Sequence, residues 1–550
     1  MTHTLLTLLS REALERCYAA GHWKRDTLFS LAQSHAAARG ARTAVRSSAG
    51  SLSYRDLLQR AEALATHLSA AGLRRGDRVA AWLSSRIETV VVMVACSRSG
   101  FVCCPSLHRD HTSAQVLELM QRMGAAAFVG ESGYGADASR RDIFAELGTA
   151  PTLKVHWQLG RPGSDDPRPL PAEPAPGQPG PCADPDCVSS LAFTSGTTGQ
   201  PKGVMHSDNT LLANARSMIA DWRFDERLVL YTLSPISHSL GMLSMVTTLA
   251  VGGELVVHDL ARGASLLDRL GEVGATFAVG VPTHAMDLLA ELDARDARPP
   301  ASLVGFRVSG ASPPRSLIAQ LLERGVTPQS GYGMTESGST HYTRMNDAVD
   351  RIVETSGQVC DSFEVRVFSQ ENPDLEAGVD EIGEIGGRGA SLMLGYFDDQ
   401  RANDAAFNAG GWFMTGDLGR IDAQGYLRIT GRKKDLIIRG GHNIHPARIE
   451  GLAMQHPAVE RACAVPVADE RLGEKVCLAV MFRSGRNVPP EELLAHLDRA
   501  GLSRYDMPEY FLALADIPLT PSGKILKRDV AVRVAQGLLS PTPVRFEPGA

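Results

Sequence analysis

Along this chain the spacing of apolar and polar positions changes twice, and each change marks a different kind of structure. Over 53–72, apolar side chains recur at Leu57, Ala61, Leu64, Ala65 and Leu68, one face of a helix that Ser53 can cap. A strand over 78–83, an apolar helix over 88–99 and a strand over 101–104 follow, then a helix over 115–123 and a strand over 126–129. Strands and helices alternating at this spacing predict a parallel sheet covered by helices. Between 160 and 186 the alternation stops in a stretch rich in Pro, Gly and acidic residues, as in Pro169-Leu170-Pro171-Ala172-Glu173-Pro174, which predicts a surface connection. Apolar, motif-rich sequence resumes at Val188. After about Gly431 the pieces shorten to helix, strand, strand and helix near 449–455, 459–465, 476–482 and 491–500, a small α+β unit. No internal repeat is visible.

Composition narrows the reading. A chain of 550 residues exceeds one ordinary core and predicts two or more domains. Its hydrophobic fraction of 43% and charged fraction of 21% are those of a globular protein that dissolves in water. The net charge of −6, with no long basic run, argues against nucleic acid as a partner. Nine cysteines, an odd number, are scattered without a disulfide framework, so a reducing cytoplasm fits best. Cys182 and Cys187 lie close together but lack a second pair at zinc-site spacing. The apolar patch at 5–9 is too short for a signal-peptide core and lacks a basic start. No Asp, Glu, Lys or Arg occurs between Arg227 and Glu254, a length that could span a bilayer. Pro235, three nearby serines, His238 and Gly252-Gly253 interrupt it, so a strand, a polar turn and a buried helix describe it better.

The densest chemical signal is Leu191-Ala192-Phe193-Thr194-Ser195-Gly196-Thr197-Thr198-Gly199-Gln200-Pro201-Lys202-Gly203. An apolar strand runs into a loop of hydroxyls, glycines and one lysine. Glycines let backbone N–H groups converge on an anion, hydroxyls add donors and Lys202 adds charge, a combination suited to a polyphosphate. It is not a Walker A loop, because Pro201 stands where a glycine should precede Lys202. No Gly-x-Ser-x-Gly elbow occurs, and Gly331-x-Gly333 leads to Glu336 rather than a third glycine, so the serine-hydrolase and dinucleotide signatures fail.

This loop resembles the phosphate loop of the adenylate-forming superfamily of acyl-CoA synthetases, peptide-synthetase adenylation domains and luciferases. The resemblance continues in the family's order over 193–524. Ser234-Pro235-Ile236-Ser237-His238-Ser239-Leu240-Gly241 is similar to the segment bordering the acid pocket, and Gly310-Ala311-Ser312 to the turn against adenine. Gly331-Tyr332-Gly333-Met334-Thr335-Glu336 resembles the segment that stacks adenine and binds phosphate and magnesium. Gly411-Trp412-Phe413-Met414-Thr415-Gly416-Asp417 resembles the ribose-binding segment. Gly431-Arg432-Lys433-Lys434-Asp435 is similar to the interdomain hinge, and Pro521-Ser522-Gly523-Lys524 to the loop with the catalytic lysine.

The resemblance implies an α/β fold with a large, multi-sheet N-terminal domain over 1–433. A small, mobile α+β domain over 434–550 carries Lys524 beyond its last strand and turns about Lys434. ATP would be held by Thr194, Ser195, Gly196, Thr197, Thr198 and Lys202, with Gly310, Ala311, Tyr332 and Gly333 at adenine and Asp417 and Arg432 at ribose. Physically, Tyr332 offers a flat face for adenine, Asp417 can accept from both ribose hydroxyls, and Thr335 has a hydroxyl for phosphate. Glu336 supplies a hard oxygen for Mg2+. Catalytic roles fall to Lys524, Glu336, Thr335 and His238, the mobile Lys524 meeting the charge that develops at the α-phosphate. His238 is implied as a gate between acid and thiol, with general base as a weaker option. Gly440 and Gly441 belong to a loop facing the pantetheine tunnel, which disfavours a metal role for His442 and His445. The pocket would be lined by His238, Ser239, Val281, Gly331 and Met334, a short, broad space that favours a compact alicyclic or aromatic acid. Ser239 replaces the asparagine common in relatives acting on 2-hydroxyaryl acids, which weighs against salicylate-type acids. Gly21-His22-Trp23 and its surroundings are similar to ligases for cyclohexanecarboxylate and aryl acids.

Three functions follow in order. The first is an acid–CoA ligase using ATP, Mg2+ and coenzyme A, favoured because no carrier domain is visible. The second is an acyl-AMP ligase that loads a carrier-protein phosphopantetheine or an amine. The third is a non-catalytic relative, disfavoured because Lys524, Glu336 and Asp417 are all present. A luciferase-like oxidase shares these motifs. The expected partners are a small carboxylic acid and CoA or a carrier protein, with a homodimer left open and neither nucleic acid nor a membrane span expected.

Overall fold

The computed structural model describes residues 5–162, 164, 168–194, 201–261, 263–310, 313–440, 442–519 and 525–546. Local signals set the early elements as expected. The helix Tyr54–Ala70 starts at Ser53, whose hydroxyl accepts the Asp56 N–H at 3.2 Å while the Asp56 carboxylate accepts the Ser53 N–H at 3.2 Å. Each group satisfies a donor that the first turn leaves unpaired. The apolar helix is Ile87–Ser99, ended by Gly100 at φ +67°.

Among the described residues the strands form four sheets. One runs in the order Val155–Leu159, Ala125–Glu131, Arg78–Trp82, Val102–Cys104, Val188–Thr194 and Lys202–Ser207. Its strands are parallel except the last, which returns antiparallel with Thr194 opposite Lys202. That hairpin brackets the glycine-rich loop. A nine-stranded sheet has a parallel centre of Glu254–Val257, Val229–Thr232, Phe277–Gly280, Gly305–Val308 and Thr327–Met334. The helices Asp208–Trp222 and Ser239–Val251 share one core with both sheets, which joins Val79 and Cys103 to Met218, Met245, Leu230 and Val279. Burial on both faces is what parallel strands require.

The charge-free stretch resolves into the strand Val229–Thr232, a turn and the helix Ser239–Val251, too short for a bilayer. Among the described residues no helix is long and apolar enough to cross a membrane. A four-stranded antiparallel sheet of Phe363–Phe368, Gly383–Gly389, Phe413–Ile421 and Leu427–Arg432 leads to the last part of the chain. Beyond it, among the described residues, the cores contain side chains only from Ile437 onward, packed by the helices Pro446–Ala453, Pro490–Arg499 and Lys527–Ala535. The Pro521–Lys524 stretch does not lie beyond the last strand, because Thr542–Pro543 returns to pair with Tyr510–Ala513. Two residues are too few to leave a strand pattern in the sequence.

Candidate active site

The strand Thr327–Met334 leaves the parallel centre of its sheet and turns back against Gly338–Tyr342. Gly333 permits that turn, since a Cβ there would sit 2.1 Å from the Gly338 carbonyl oxygen. Tyr332 donates its hydroxyl to Asp417 Oδ2 at 2.9 Å. Asp417 stands opposite Arg432 on neighbouring strands, and Arg432 Nε donates to Asp417 Oδ1 at 2.9 Å. The carboxylate is buried at 6% exposure. Burial and Asp417 push the Tyr332 phenol well above its ordinary range, so it stays a donor. Three residues from distant segments thus form one polar cradle.

Beside it, Glu336 accepts a hydrogen bond from the Tyr396 hydroxyl at 3.0 Å. Burial raises the Glu336 pKa, while its own backbone N–H, the Tyr396 bond and the positive charges of Lys202 and Arg432 act the other way. Lys202 Nζ lies 4.5 Å from the centre of the Tyr396 ring. The Thr335 carbonyl accepts from His206 Nε2 at 2.7 Å, and His206 Nδ1 faces Thr210 Oγ1 at 3.0 Å. A carbonyl only accepts, so Nε2 carries the proton; burial lowers the His206 pKa to about 4 and keeps the ring neutral. This pins the Thr335-Glu336 corner. Among the described residues no group of three or more His, Cys, Asp or Glu could hold a metal ion alone. A single carboxylate still suits magnesium, which takes most of its ligands from phosphate and water.

On the side expected for the acid, His238 precedes the helix Ser239–Val251, and Gly241 is needed where a Cβ would lie 2.2 Å from the Pro235 carbonyl oxygen. The His238 ring stacks on His108 with centroids 4.0 Å apart and planes 10° from parallel. His108 in turn stacks on His111 at 5.5 Å, faces Ser237 Oγ through Nδ1 at 3.1 Å, and accepts from Trp82 Nε1 through its carbonyl at 3.0 Å. Burial, then His238 and His111, lower the His108 pKa to about 2, so the middle ring is neutral. Val281 is buried ahead of the helix Pro282–Ala294. Gly310 turns with φ +89°, and Ser309 Oγ donates to the Gly331 carbonyl at 2.9 Å. Met334 packs with Val204, Met393 and Tyr396.

The other expected positions divide. Thr194 ends its strand, with Oγ1 3.5 Å from the Lys202 carbonyl oxygen. Gly440 has φ +56° and donates its N–H to the Leu472 carbonyl at 2.7 Å. His442 Nε2 lies 2.9 Å from Asp506 Oδ1. Lys434 occupies the one-turn helix Lys433–Asp435, where Lys433 Nζ donates to Glu384 Oε2 at 2.7 Å. Ser195, Gly196, Thr197, Thr198, Ala311, Gly441 and Lys524 lie outside the described residues.

The model of the AMP-binding enzyme family matches residues 32–397, and that of the AMP-binding enzyme C-terminal domain matches residues 448–524. The chain belongs to this adenylate-forming family. The enzyme is 30% identical to the medium-chain fatty-acid–CoA ligase of Escherichia coli, over 96% of this chain and 95% of the relative. It is 31% identical to the salicyl-AMP ligase / salicyl-S-ArCP synthetase of Mycobacterium tuberculosis, over 93% and 91%. Among solved structures, ATP-bound MatB from Rhodopseudomonas palustris superposes with a TM-score of 0.79 at 26% identity, covering 92% of this chain and 98% of that one. The enzyme is therefore an AMP-forming acid ligase that activates a carboxylic acid with ATP.

Several of its partnered residues escape the motifs. Tyr396 lies 60 positions from Glu336 and reads locally as one more core aromatic. Glu384, which takes Lys433 and also accepts the Gly416 N–H at 3.1 Å, reads as a strand-end charge. His206 and His108 follow no spacing rule; the fold alone puts them beside Thr335 and His238.

Proposed function

We propose that the enzyme is an acid–CoA ligase for a compact acid, alicyclic or aromatic, working in two half-reactions across the boundary at 433/434. The observation that supports it is the convergence of Tyr332, Asp417 and Arg432 with Glu336, Tyr396 and Lys202. In this reading Tyr332 stacks adenine and Asp417 accepts from the ribose. Lys202, the loop at 194–198 and Thr335 bind the phosphates, and Gly310 and Ala311 border the base. Magnesium, held through Glu336, would supply charge neutralisation at the phosphates. An oxygen of the acid attacks the α-phosphorus as the bond to pyrophosphate breaks, with Lys524 balancing the developing charge. The small domain then turns about Lys434, and Gly440 and Gly441 line the path of the thiol past His238. Sulfur bonds to the acyl carbon and AMP leaves. Splitting one condensation into two transfers lowers each barrier.

Coenzyme A as acceptor is supported by relatives matched over nearly their whole length and named as CoA ligases, including the feruloyl-CoA synthase of Amycolatopsis at 31% identity. A second reading, transfer to a carrier protein, is favoured by the similarity to the salicyl-S-ArCP synthetase. The test is acid-dependent ATP–pyrophosphate exchange over benzoate, cyclohexanecarboxylate, salicylate, hexanoate and palmitate, followed by thioester assay with CoA. Benzoate or cyclohexanecarboxylate should lead. Palmitate in first place contradicts the compact pocket, and exchange without any CoA thioester transfers the assignment to the carrier-protein reading.

A further inference from the structure

We propose that the acid substrate carries a second carboxylate, received by Arg307 at the floor of the acid pocket. This rests on the ligase reading above and specifies its substrate class.

Alternate side chains of the strand Gly305–Val308 face opposite ways. Phe306 and Val308 join the core under the helices Pro282–Ala294 and Arg315–Glu323. Arg307 faces the other side, towards Met218 on the helix Asp208–Trp222, and is 1% exposed. Its Nη1 donates to Gln329 Oε1 and reaches Met218 Sδ at 3.8 Å, and its Nη2 donates to Ser339 Oγ. The Tyr342 ring centre is 5.7 Å from Cζ. All these neighbours are neutral. Among the described residues no carboxylate pairs with Arg307; Asp221, which accepts from Tyr342 at 2.8 Å, is engaged by Arg344 at 3.0 Å. Arg307 Nε and Gln329 Nε2 are buried with no hydrogen-bond partner among the described residues. Burial lowers the Arg307 pKa to about 10, which leaves it charged at neutral pH. Buried charges are ordinarily paired, and a guanidinium cannot lose its proton to escape the cost.

The guanidinium also lies where the expected pocket wall is missing a side chain. A Cβ on Gly331 would sit 2.6 Å from Arg307 Nη2 and 3.0 Å from Cζ. Ser309, two residues on along the same face, donates to the Gly331 carbonyl. Arg307, Gln329, Ser339 and Ser309 therefore form a polar floor under the segment that leads to Met334. A tie between three strands needs no charge; a neutral amide would serve. A planar fork with a spare donor matches a carboxylate, which it can hold with two parallel bonds. One carboxylate of the substrate would then bond to the α-phosphorus as pyrophosphate leaves, while the other stays ionised on Arg307, so the product is a monothioester.

The test uses the full-length enzyme and matched pairs differing by one carboxylate: butyrate and glutarate, benzoate and isophthalate, cyclohexanecarboxylate and cyclohexane-1,3-dicarboxylate. Acid-dependent ATP–pyrophosphate exchange gives kcat/KM for each. In at least one pair the diacid should exceed its monoacid by on the order of 100-fold, because a site built for a polar group rejects the analogue lacking it. Arg307→Met should invert that ratio. Should that variant fail to fold, Arg307→Lys, which keeps the charge but loses the fork, should give an intermediate ratio, and the wild-type pairs decide without either variant. Monoacids winning in every pair, or an unchanged ratio in Arg307→Met, overturns the proposal and leaves the ligase reading standing. Exchange with no acid overturns both.

Discussion

The nucleotide side and the acid side of this site treat charge in opposite ways. Around the expected ribose and phosphate positions the described ions face opposite charge: Asp417 holds Arg432 and the Tyr332 hydroxyl, Glu384 holds Lys433, and Glu336, which accepts from the Tyr396 hydroxyl, feels the positive charges of Lys202 and Arg432. Around the proposed acid position, the buried Arg307 has only neutral contacts and an unpartnered Nε among the described residues, and His108 is a neutral ring between two others. The difference follows from what each side must recognise. ATP is the same for every acid, so its cradle can be built in advance and neutral overall, which removes reorganisation from the reaction. The acid varies between relatives, and an ion left without a counterion discriminates by rejecting ligands that do not supply one.

The largest effect is expected from Lys524→Ala, which should slow adenylate formation by ~10²–10³-fold. Thioester formation from supplied acyl-AMP should be largely preserved, and equal loss in the two half-reactions, assayed separately, contradicts it. Lys434→Pro should show the reverse pattern, because proline fixes φ near −65° and removes an N–H at the proposed pivot. Thioester formation should fall far more than pyrophosphate exchange, and unchanged turnover removes the pivot. Asp417→Asn keeps the shape of the cradle but loses its charge. Charged hydrogen bonds are worth about 1.5–3 kcal/mol, so KM for ATP should rise by roughly 10–100-fold while the wild-type preference among acids stays the same. A changed acid preference denies the separation of the two sides.

The smallest effect belongs to Tyr396→Phe. Removing one neutral donor costs about 1 kcal/mol, roughly fivefold in exchange rate. The pH profile sharpens this. Burial places the Glu336 pKa above the usual glutamate range, so the ionised form, and with it exchange, is lost as pH falls through that raised value. The Tyr396 bond lowers the pKa, so Tyr396→Phe should move the acid limb to higher pH, and Glu336→Gln should abolish that limb. A limb that stays put in Tyr396→Phe separates the phenol from Glu336 function.

What could be read before the structure was whatever a few adjacent residues decide. The helix cap at Ser53, the strand that runs into the glycine-rich loop and the buried helix after the polar turn at Pro235 are of that kind. Tyr332, Asp417 and Arg432 were legible as motif members, although nothing local says that one carboxylate serves both the phenol and the guanidinium. Arg307 was not legible. In Gly305-Phe306-Arg307-Val308 the alternation places one polar residue on an ordinary solvent face, and only packing against Asp208–Trp222 turns that face inward. His108 likewise sits in Pro105-Ser106-Leu107-His108-Arg109-Asp110-His111, which reads as a polar turn until Trp82 and Ser237 close over it. The antiparallel sheet over 363–432 is rich in glycine and charge, which hides the period of two.

Acid activation is proposed to pass through an acyl-adenylate that is then discharged to coenzyme A. The direct measurement is a single-turnover reaction in which enzyme, ATP, magnesium and an activated acid are mixed first and CoA is added afterwards, with products followed by mass spectrometry. Acyl-AMP and pyrophosphate should appear before CoA is added, followed by conversion of acyl-AMP to acyl-CoA with AMP released in equal amount. Formation of ADP and phosphate, or an acyl-AMP that persists in the presence of CoA, contradicts a CoA-discharged adenylate.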